Sequence, residues 1–457
     1  MKKHDMINGR LSPQILMFSL PLALTGILQQ LFNAADIAVV GQCVGKTAMA
    51  AVGSNSPVIG ILVNLFVGIS LGTNVVIARF TGQGNKKGIE NAVHTAVLVA
   101  LLGGTAIGLL GELIAQPLLT IMLVPDDVME MAVSYLRIYC LGLPVIFLYN
   151  FESAIFRSKG NTKTPLFCLA VSGVVNVGLN LYFVCIAGMK VEGVALATVI
   201  SNAVSSLLLF IMLVREKGDI HLDIKKLRIH KSELLLMLRI GIPSGLQGMV
   251  FTLSNICVQS GINSLGSDIM AASSAAFNIE IFAFYIINSF GQACTTFIGQ
   301  NHGANKPERC RQITKICMLQ DMIAALLTSG ITLLLGRFLL SLFNGDPVVV
   351  EYGYVRLLYI ITAEVINVVM EIISGSLRGY GRSLAPALVT LFGVCGTRIG
   401  WIYTVFAANS EFNILMIVYP LSWAVTAASL LVVYFIITKI KMRDFFSGSA
   451  VPKKSRA

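Results

Sequence analysis

The stretch Pro21–Gly41, PLALTGILQQLFNAADIAVVG, is apolar except for Gln30 and one regularly spaced set of polar residues. That set is Thr25, Gln29, Asn33 and Asp36. Residues at this spacing share one face of an α-helix. A carboxylate in a hydrocarbon core costs about 2.5–3.5 kcal/mol on insertion scales, so the polar face should turn toward a cavity or a partner helix. Asp36 is therefore a candidate functional residue, the alternative being a structural carboxylate or one near the outer interface.

The composition of the whole chain agrees with a membrane location. The 457 residues are 55% hydrophobic and 12% charged, whereas a soluble chain is about 25% charged. The formal net charge is +11, but most of the Lys and Arg lie in the connections that we assign to the cytoplasm. This distribution follows the positive-inside rule and excludes a nucleic-acid-binding surface.

Apolar runs long enough to cross a bilayer occur about twelve times. They cover 15–40, 54–78, 92–114, 131–152, 165–187, 193–214, 235–261, 269–297, 313–336, 351–376, 384–407 and 413–438. The even-numbered connections between them are basic, which predicts a multi-pass protein of the cytoplasmic membrane with both termini in the cytoplasm. The predicted divisions are a cytoplasmic tail 1–14, a six-helix lobe 15–214, a cytoplasmic linker 215–234, a second six-helix lobe 235–440 and a cytoplasmic tail 441–457.

The two halves of the chain repeat each other. Pro21 pairs with Pro243 at an offset of 222, and RSKGNTKTP at 157–165 pairs with RGYGRSLAP at 378–386. Each half holds six spans, so the halves lie parallel across the membrane. We predict an all-α integral membrane fold of twelve transmembrane helices, in two lobes related by a pseudo-two-fold axis along the membrane normal. Secondary transporters are commonly built in this way.

Enzymatic chemistry has no support in the sequence. The nine cysteines are scattered without a CxxC pair, so we expect apolar filler residues and no disulfide framework. The five histidines lack metal-ligand spacing, and no nucleophile elbow is present. The segment Gly41–Thr47 is one residue short of a phosphate-binding P-loop. We therefore predict no enzyme, no cofactor and no ATP-driven pump.

Three motifs carry a resemblance to a known family. AVGSNSP with NLFVGISLGTNVVIAR and GQGN, the motif RSKGNTKTP, and GIPSGLQ with FIGQNHGANKPER resemble the bacterial MATE (multidrug and toxic compound extrusion) transporters. The resemblance implies twelve helices in two lobes, export of organic cations, and exchange for protons or sodium ions. Asp36 matches the family's first-helix Asp, and Asn176 and Asn180 match its polar pair on the fifth helix. This chain has no Asp in that pair, and Gln247 lies in the region of the seventh helix where one branch carries an acidic residue.

These features predict a cation-coupled antiporter that exports amphipathic, often cationic drugs or toxic compounds by alternating access. Asp36, Asn33, Asn176 and Asn180 would bind H⁺ or Na⁺, with Thr25 and Gln29 extending the polar face of the cavity. The expected partners are small-molecule substrates, H⁺ or Na⁺ and the lipid bilayer, without nucleic acid, and the chain should be monomeric. The alternative is a lipid-linked precursor flippase of the same superfamily, which would need a basic cavity.

The second half carries further charges inside its spans. Counting residues from the span ends places Glu280, Glu364 and Arg398 within about 5 Å in depth. We expect Arg398 to neutralise one of these acids and to leave Glu280 free for a cation, with Glu371 extending the site inward. A packing salt bridge without a transport role is the alternative. Four charges nearer the helix ends are interpreted as structural: snorkelling anchors at Arg137 and Arg356, and loop-paired acids at Glu152 and Asp321.

Overall fold

The computed structural model describes residues 5–122 and 124–439, and these residues contain helices and no β-strand. Ten helices are α1 Leu11–Cys43, α2 Lys46–Gln83, α3 Lys86–Ile121, α5 Lys163–Ile186, α6 Val191–Arg215, α7 Lys231–Asn263, α8 Ser267–Gly303, α9 Pro307–Ser341, α10 Pro347–Gly379 and α11 Leu384–Phe406. Helix α12 covers Phe412–Thr438, and α4 consists of Asp126–Leu141 and Leu143–Ser158. Eleven of these helices are long and apolar enough to span a membrane, and the bent α4 makes a twelfth. The predicted fold class is confirmed.

The fourth span is broken in the middle. Its two pieces meet at 49° around Gly142, and Pro144 at the start of the second piece has no N–H to continue the first. Several predicted boundaries differ by a few residues: α1 already begins at Leu11, and α7 begins at Lys231. Polar residues at these ends lowered the local hydropathy and shortened the predicted spans. The predicted tail 441–457 lies outside the described residues.

The internal repeat is visible in the helices themselves. α1 and α7 each contain the repeated proline, Pro21 and Pro243. α5 widens into a π-helical segment at Leu181–Ile186, and α11 does so at Ile402–Phe406, near the same offset. The largest apolar cluster runs from Val40 to Ile240, and the others draw mainly on the second half of the chain. Each half therefore builds its own core.

The lobes meet at one end of the bundle, which we call the linker side because residues 216–230 lie there. The contact is made by small residues: a Cβ on Gly68 would lie 2.1 Å from the backbone nitrogen of Gly245, and one on Gly72 would lie 2.3 Å from the carbonyl oxygen of Met237. On α2 the residues from Gly72 to Ala78 are all buried, whereas the half of α2 nearer Lys46 is less buried and alternates between buried, partly buried and exposed residues. The lobes are thus closed on the linker side and separate toward the opposite side.

Three hydrogen bonds reinforce this closure. Thr296 of α8 donates to Asn74 of α2 at 3.0 Å, and Arg157 of α4 donates to Gln292 of α8 at 2.9 Å. The amide of Gln300 donates to the Ser158 carbonyl at 2.7 Å. Each of these bonds joins the first lobe to the second, so the linker side can open only if they break.

Helix α1 packs against both lobes. Near its start, Ile15, Phe18 and Leu22 belong to an apolar cluster with residues of α8, α9 and α10, and the rings of Phe18 and Phe297 are 5.7 Å apart. The segment before the helix continues this attachment. Met6 is only 1% exposed, and its carbonyl accepts a hydrogen bond from Asn301 at 3.0 Å. The other half of α1 packs on α5 of the first lobe.

Candidate functional site

Asp36 is buried on α1, with 6% of its surface exposed. One carboxylate oxygen accepts a hydrogen bond from the Asn180 amide at 2.5 Å, and the other accepts one from the Thr198 hydroxyl at 3.1 Å. Both donors are neutral. No Lys or Arg within the described residues forms a salt bridge with Asp36. The carboxylate is therefore hydrogen-bonded and carries no bound positive charge from the protein.

The fifth helix supplies the polar pair expected from the sequence. Asn176 and Asn180 lie one helical turn apart, and the Asn180 amide nitrogen also donates to the Asn176 oxygen at 3.2 Å. The side-chain oxygen of Asn180 is buried and has no hydrogen-bond partner among the described residues. The structure thus brings Asp36, Asn176 and Asn180 together and leaves one amide oxygen free.

Sequence reasoning missed Thr198 on α6. The sixth span carries Thr198, Ser201, Asn202 and Ser205, which form a polar face like that of α1. Thr198 also accepts a bond at its carbonyl from Asn202 at 2.8 Å, which helps to fix its position. This periodicity could have indicated a contributing helix, although not which of the residues reaches Asp36.

The other residues on the polar face of α1 take a smaller part in the site than expected. Asn33 is exposed and Gln29 partly exposed, and neither forms a hydrogen bond with Asp36 within the described part of the chain. Thr25 donates to the Pro21 carbonyl of its own helix at 2.8 Å. Tyr135 and Tyr139 of α4 lie close enough to interact electrostatically with Asp36. The hydrogen-bond partners of Asp36 therefore come from α5 and α6.

The expectation that the chain has no disulfide is wrong. Cys43 at the end of α1 is bonded to Cys185 near the end of α5, with their Cα atoms 5.6 Å apart. The other seven cysteines are free, and five of them are buried as expected for filler residues. The pair could not be identified from sequence because the two cysteines are separated by 142 residues. This bond joins the two helices that carry Asp36 and Asn180.

The charges of the second lobe pair differently from the prediction. Arg356 binds Glu280 with two hydrogen bonds, at 2.6 and 3.2 Å, and both side chains are buried. Arg356 is therefore not a snorkelling anchor, and Glu280 is not left without a positive partner. Arg137 does lie at the surface, 3.4 Å from Glu112. The position of Arg356 near the end of its predicted span suggested a surface anchor, whereas its burial against Glu280 depends on how the helices are rotated.

Arg398 does not pair with a glutamate. It is 0% exposed, donates to Asn255 at 2.5 Å and to Ser422 at 3.2 Å, and lies against the ring of Tyr419 at 4.6 Å. Glu364 instead accepts a hydrogen bond from Asn367 at 2.8 Å. Glu371 lies 3.7 Å from Arg378 on the same helix. The predicted group of Glu280, Glu364 and Arg398 is thus divided into separate pairs.

Two acids that we expected to pair with loop cations are in the interior. Glu152 is buried and accepts a hydrogen bond from Ser206 at 3.1 Å. Asp321 is also buried and has neither a hydrogen-bond nor a salt-bridge partner among the described residues. The helix of Asp321 begins at Pro307, before the predicted span 313–336, so this acid lies deeper in its helix than the apolar run suggested.

Comparison with known proteins agrees with this architecture. The MatE family model matches residues 21–182 and 243–404, once in each half of the chain. The probable multidrug resistance protein YoeA of Bacillus subtilis is 28% identical over 429 residues, which is 92% of this chain and 91% of that protein. The FAD transporter of Shewanella oneidensis is 23% identical and covers 85% of this chain and 87% of its own length.

The fold has a close counterpart among solved structures. A multidrug resistance MATE family transporter in an outward-facing conformation superposes with a TM-score of 0.89 at 21% identity, covering 96% of this chain and 98% of that one. The family model matches both repeats and more than half of the residues, and the fold agrees over nearly the whole chain. This multi-pass membrane protein belongs to the MatE family of transporters.

Proposed function

We propose that this chain is a cation-coupled antiporter that exports amphipathic, often cationic compounds, with Asp36 as the coupling residue. The observation that carries the proposal is a buried carboxylate that has only neutral hydrogen-bond donors. A proton, a sodium ion or a cationic cargo can each compensate that charge, whereas only one of them can do so at a time. An inward-moving ion and an outward-moving cargo are thereby coupled.

Both coupling ions fit the residues around Asp36. A proton needs only the carboxylate. A sodium ion, as a hard cation, would take the oxygens of Asp36 and Asn176 together with the free side-chain oxygen of Asn180. Asn33, Gln29 and Thr25 would then face the path of the cargo rather than the ion.

Two features support an orientation with the linker and both termini in the cytoplasm. The linker side carries most of the Lys and Arg of the connections. The Cys43–Cys185 bond lies at the opposite side, and disulfides persist in oxidising surroundings outside the cytoplasm. In this orientation the closed linker side is the cytoplasmic side, and the conformation is outward-facing.

The nature of the relatives supports drug export. YoeA is named as a probable multidrug resistance protein, and a monomeric exporter of small molecules in the cytoplasmic membrane follows by analogy. A lipid-linked precursor flippase would need positive charge in its cavity. Here Arg356 is neutralised by Glu280 and Arg398 is fully buried, so neither presents its charge to a cargo.

The test is efflux from everted membrane vesicles with proton and sodium gradients imposed separately. We expect a cationic dye such as ethidium to move when one of the two gradients is applied, and to stay when both are collapsed. Dye movement that is independent of both gradients would contradict the antiport mechanism. Preferential movement of a lipid pyrophosphate would support the flippase instead.

The orientation has its own test. A tag inserted within 216–230 should react with a membrane-impermeant reagent in everted vesicles and remain unreactive in intact cells. Labelling from outside the cell would show that the topology is the inverse of the proposed one. The open side would then face the cytoplasm.

A further inference from the structure

One acid in the second lobe belongs to none of the pairs described above. Asp321 lies within α9 and is 0% exposed. Neither of its carboxylate oxygens has a hydrogen-bond partner in the described part of the chain, and no Lys or Arg there forms a salt bridge with it. An ionised carboxylate without donors is the most costly arrangement that a buried polar group can adopt.

The register between α9 and α10 shows what Asp321 faces. The two helices are antiparallel, with Thr314 bonded to Ser376 at 3.1 Å and Ser329 bonded to the Ile361 carbonyl at 3.0 Å. Asp321 lies between these two anchoring contacts. It is therefore opposite the part of α10 between Glu364 and Glu371, so that the three acids lie along one helix interface.

The other neighbours do not supply a positive charge. The thiol of Cys317 lies one turn away on α9, and the thiol of Cys294 comes from α8. Apolar residues of the same cluster, including Phe18 and Leu22 of α1, fill the surrounding space. Tyr434 of α12 lies toward the linker side, beside Thr314 and Ser376.

These surroundings distinguish a proton from a metal ion as the ligand. No three His, Cys, Asp or Glu side chains of the described residues are grouped so that they could hold a metal. A proton needs no further ligands, and it removes the charge that burial disfavours. Three carboxyl groups along one largely buried helix interface also repel one another when all are ionised, and a proton on one of them removes part of that repulsion.

We propose that Asp321 is a proton-binding site of the second lobe, occupied in this conformation and in exchange with Glu364 and Glu371. Glu371 is the member nearest the linker side, and its side chain is partly accessible beside Arg378. A proton held by Asp321 can therefore pass to Glu371 and leave on the linker side when the lobes separate there. Its contribution to transport rests on the proposed antiport, whereas its occupancy does not.

The first experiment tests occupancy without any transport assay. Infrared spectra of the purified full-length protein in nanodiscs are recorded while the pH is raised, and the C=O band of protonated carboxyl groups is followed. We expect Asp321→Asn to remove one component of that band. Glu351→Gln is the matched control, since Glu351 is exposed on α10 beside Arg337 and should contribute no such component. Asp321→Leu provides a second variant in case the amide prevents folding. An unchanged band in both Asp321 variants would overturn the proposal.

The second experiment tests coupling. Proton uptake and dye export are measured together in proteoliposomes, and in Asp321→Asn we expect the protons taken up per exported molecule to fall by about one. An unchanged ratio together with a lost infrared component would leave Asp321 a permanently protonated structural residue and would overturn its exchange with Glu371. Absence of proton-driven export in the wild type would instead reject the antiport mechanism, while the infrared result would still decide occupancy.

Discussion

The two lobes share a helical plan, but Asp36 of the first lobe and Glu280 of the second are compensated in opposite ways. In the first lobe Asp36 has neutral donors, whereas in the second lobe Glu280 is bound by two nitrogens of Arg356. The residue related to Asp36 at an offset of 222 is Val258, which is fully buried. An acid with neutral donors can exchange one cation for another, while an acid with a fixed guanidinium contributes to packing. The comparison teaches that duplication preserved the helices and left each lobe free to acquire different chemistry.

The largest expected effect comes from neutralising Asp36, the first-lobe acid. In Asp36→Asn we expect gradient-driven export to fall to the level of vesicles without the transporter, because no charge remains for ion and cargo to share. The protein should still fold, since burying an amide costs less than burying a charge. Dye efflux and a thermal unfolding curve in detergent measure the two effects. Asp127→Asn, which neutralises an exposed acid at the start of α4, is the matched control, and wild-type efflux from Asp36→Asn would refute the assignment.

Breaking the pair of Glu280 and Arg356 in the second lobe should lower the stability of the protein, whereas Asp36→Asn should lower its export. We expect Glu280→Gln to lower the free energy of unfolding by about 3–5 kcal/mol, because the buried Arg356 loses its counter-charge. Replacing both residues, in Glu280→Gln with Arg356→Gln, should recover much of that loss. Denaturant or thermal unfolding of purified protein is the measurement. If the single variant is as stable as the wild type but cannot export, then Glu280 has a transport role and the contrast between the lobes disappears.

The disulfide offers a third comparison, because it joins α1 to α5 in the first lobe only. Cys43→Ser with Cys185→Ser should lower the free energy of unfolding by about 2–4 kcal/mol, since the unfolded chain loses a long-range constraint. The control is Cys257→Ser with Cys395→Ser, which changes two free cysteines of α7 and α11 in the second lobe. The measurement is the free energy of unfolding of both double variants and of the wild type, with and without a reductant. Equal stability of all variants would show that the Cys43–Cys185 bond does not stabilise the first lobe.

The smallest expected effect is the loss of one donor to Asp36. Thr198→Val removes a single hydrogen bond worth about 1–1.5 kcal/mol, so we expect the rate of coupled export to fall by about tenfold. Thr404→Val is the matched control, because Thr404 is exposed and bonds only to Gly400 of its own helix. An unaffected rate in Thr198→Val would remove α6 from the site.

The sequence predicted more of the fold than of the candidate site. Apolar runs and the repeated Pro21 and Pro243 indicated twelve spans in two lobes because both depend on properties along the chain. The same periodicity placed Asp36 on a polar face, and the family resemblance added Asn176 and Asn180. The partners of Arg356 and Arg398 could not be obtained in this way. Residue counting depends on the predicted span ends, which misplaced Asp321 and Arg356 in depth, and a pairing also depends on the rotation of each helix about its own axis.

The division of α1 between the lobes has a consequence for biosynthesis. Residues 5–22 leave the ribosome well before α8, α9 and α10, yet the residues that bury Met6, Ile15 and Phe18 lie on those three helices. This part of α1 therefore waits in the bilayer until more than half of the chain has been inserted. The first lobe cannot complete its packing as an independent unit, although it contains the Asp36 site. A polypeptide that stopped after α6 would leave the start of its first helix without its partners, so the packing of α1 is complete only when the second lobe has been made.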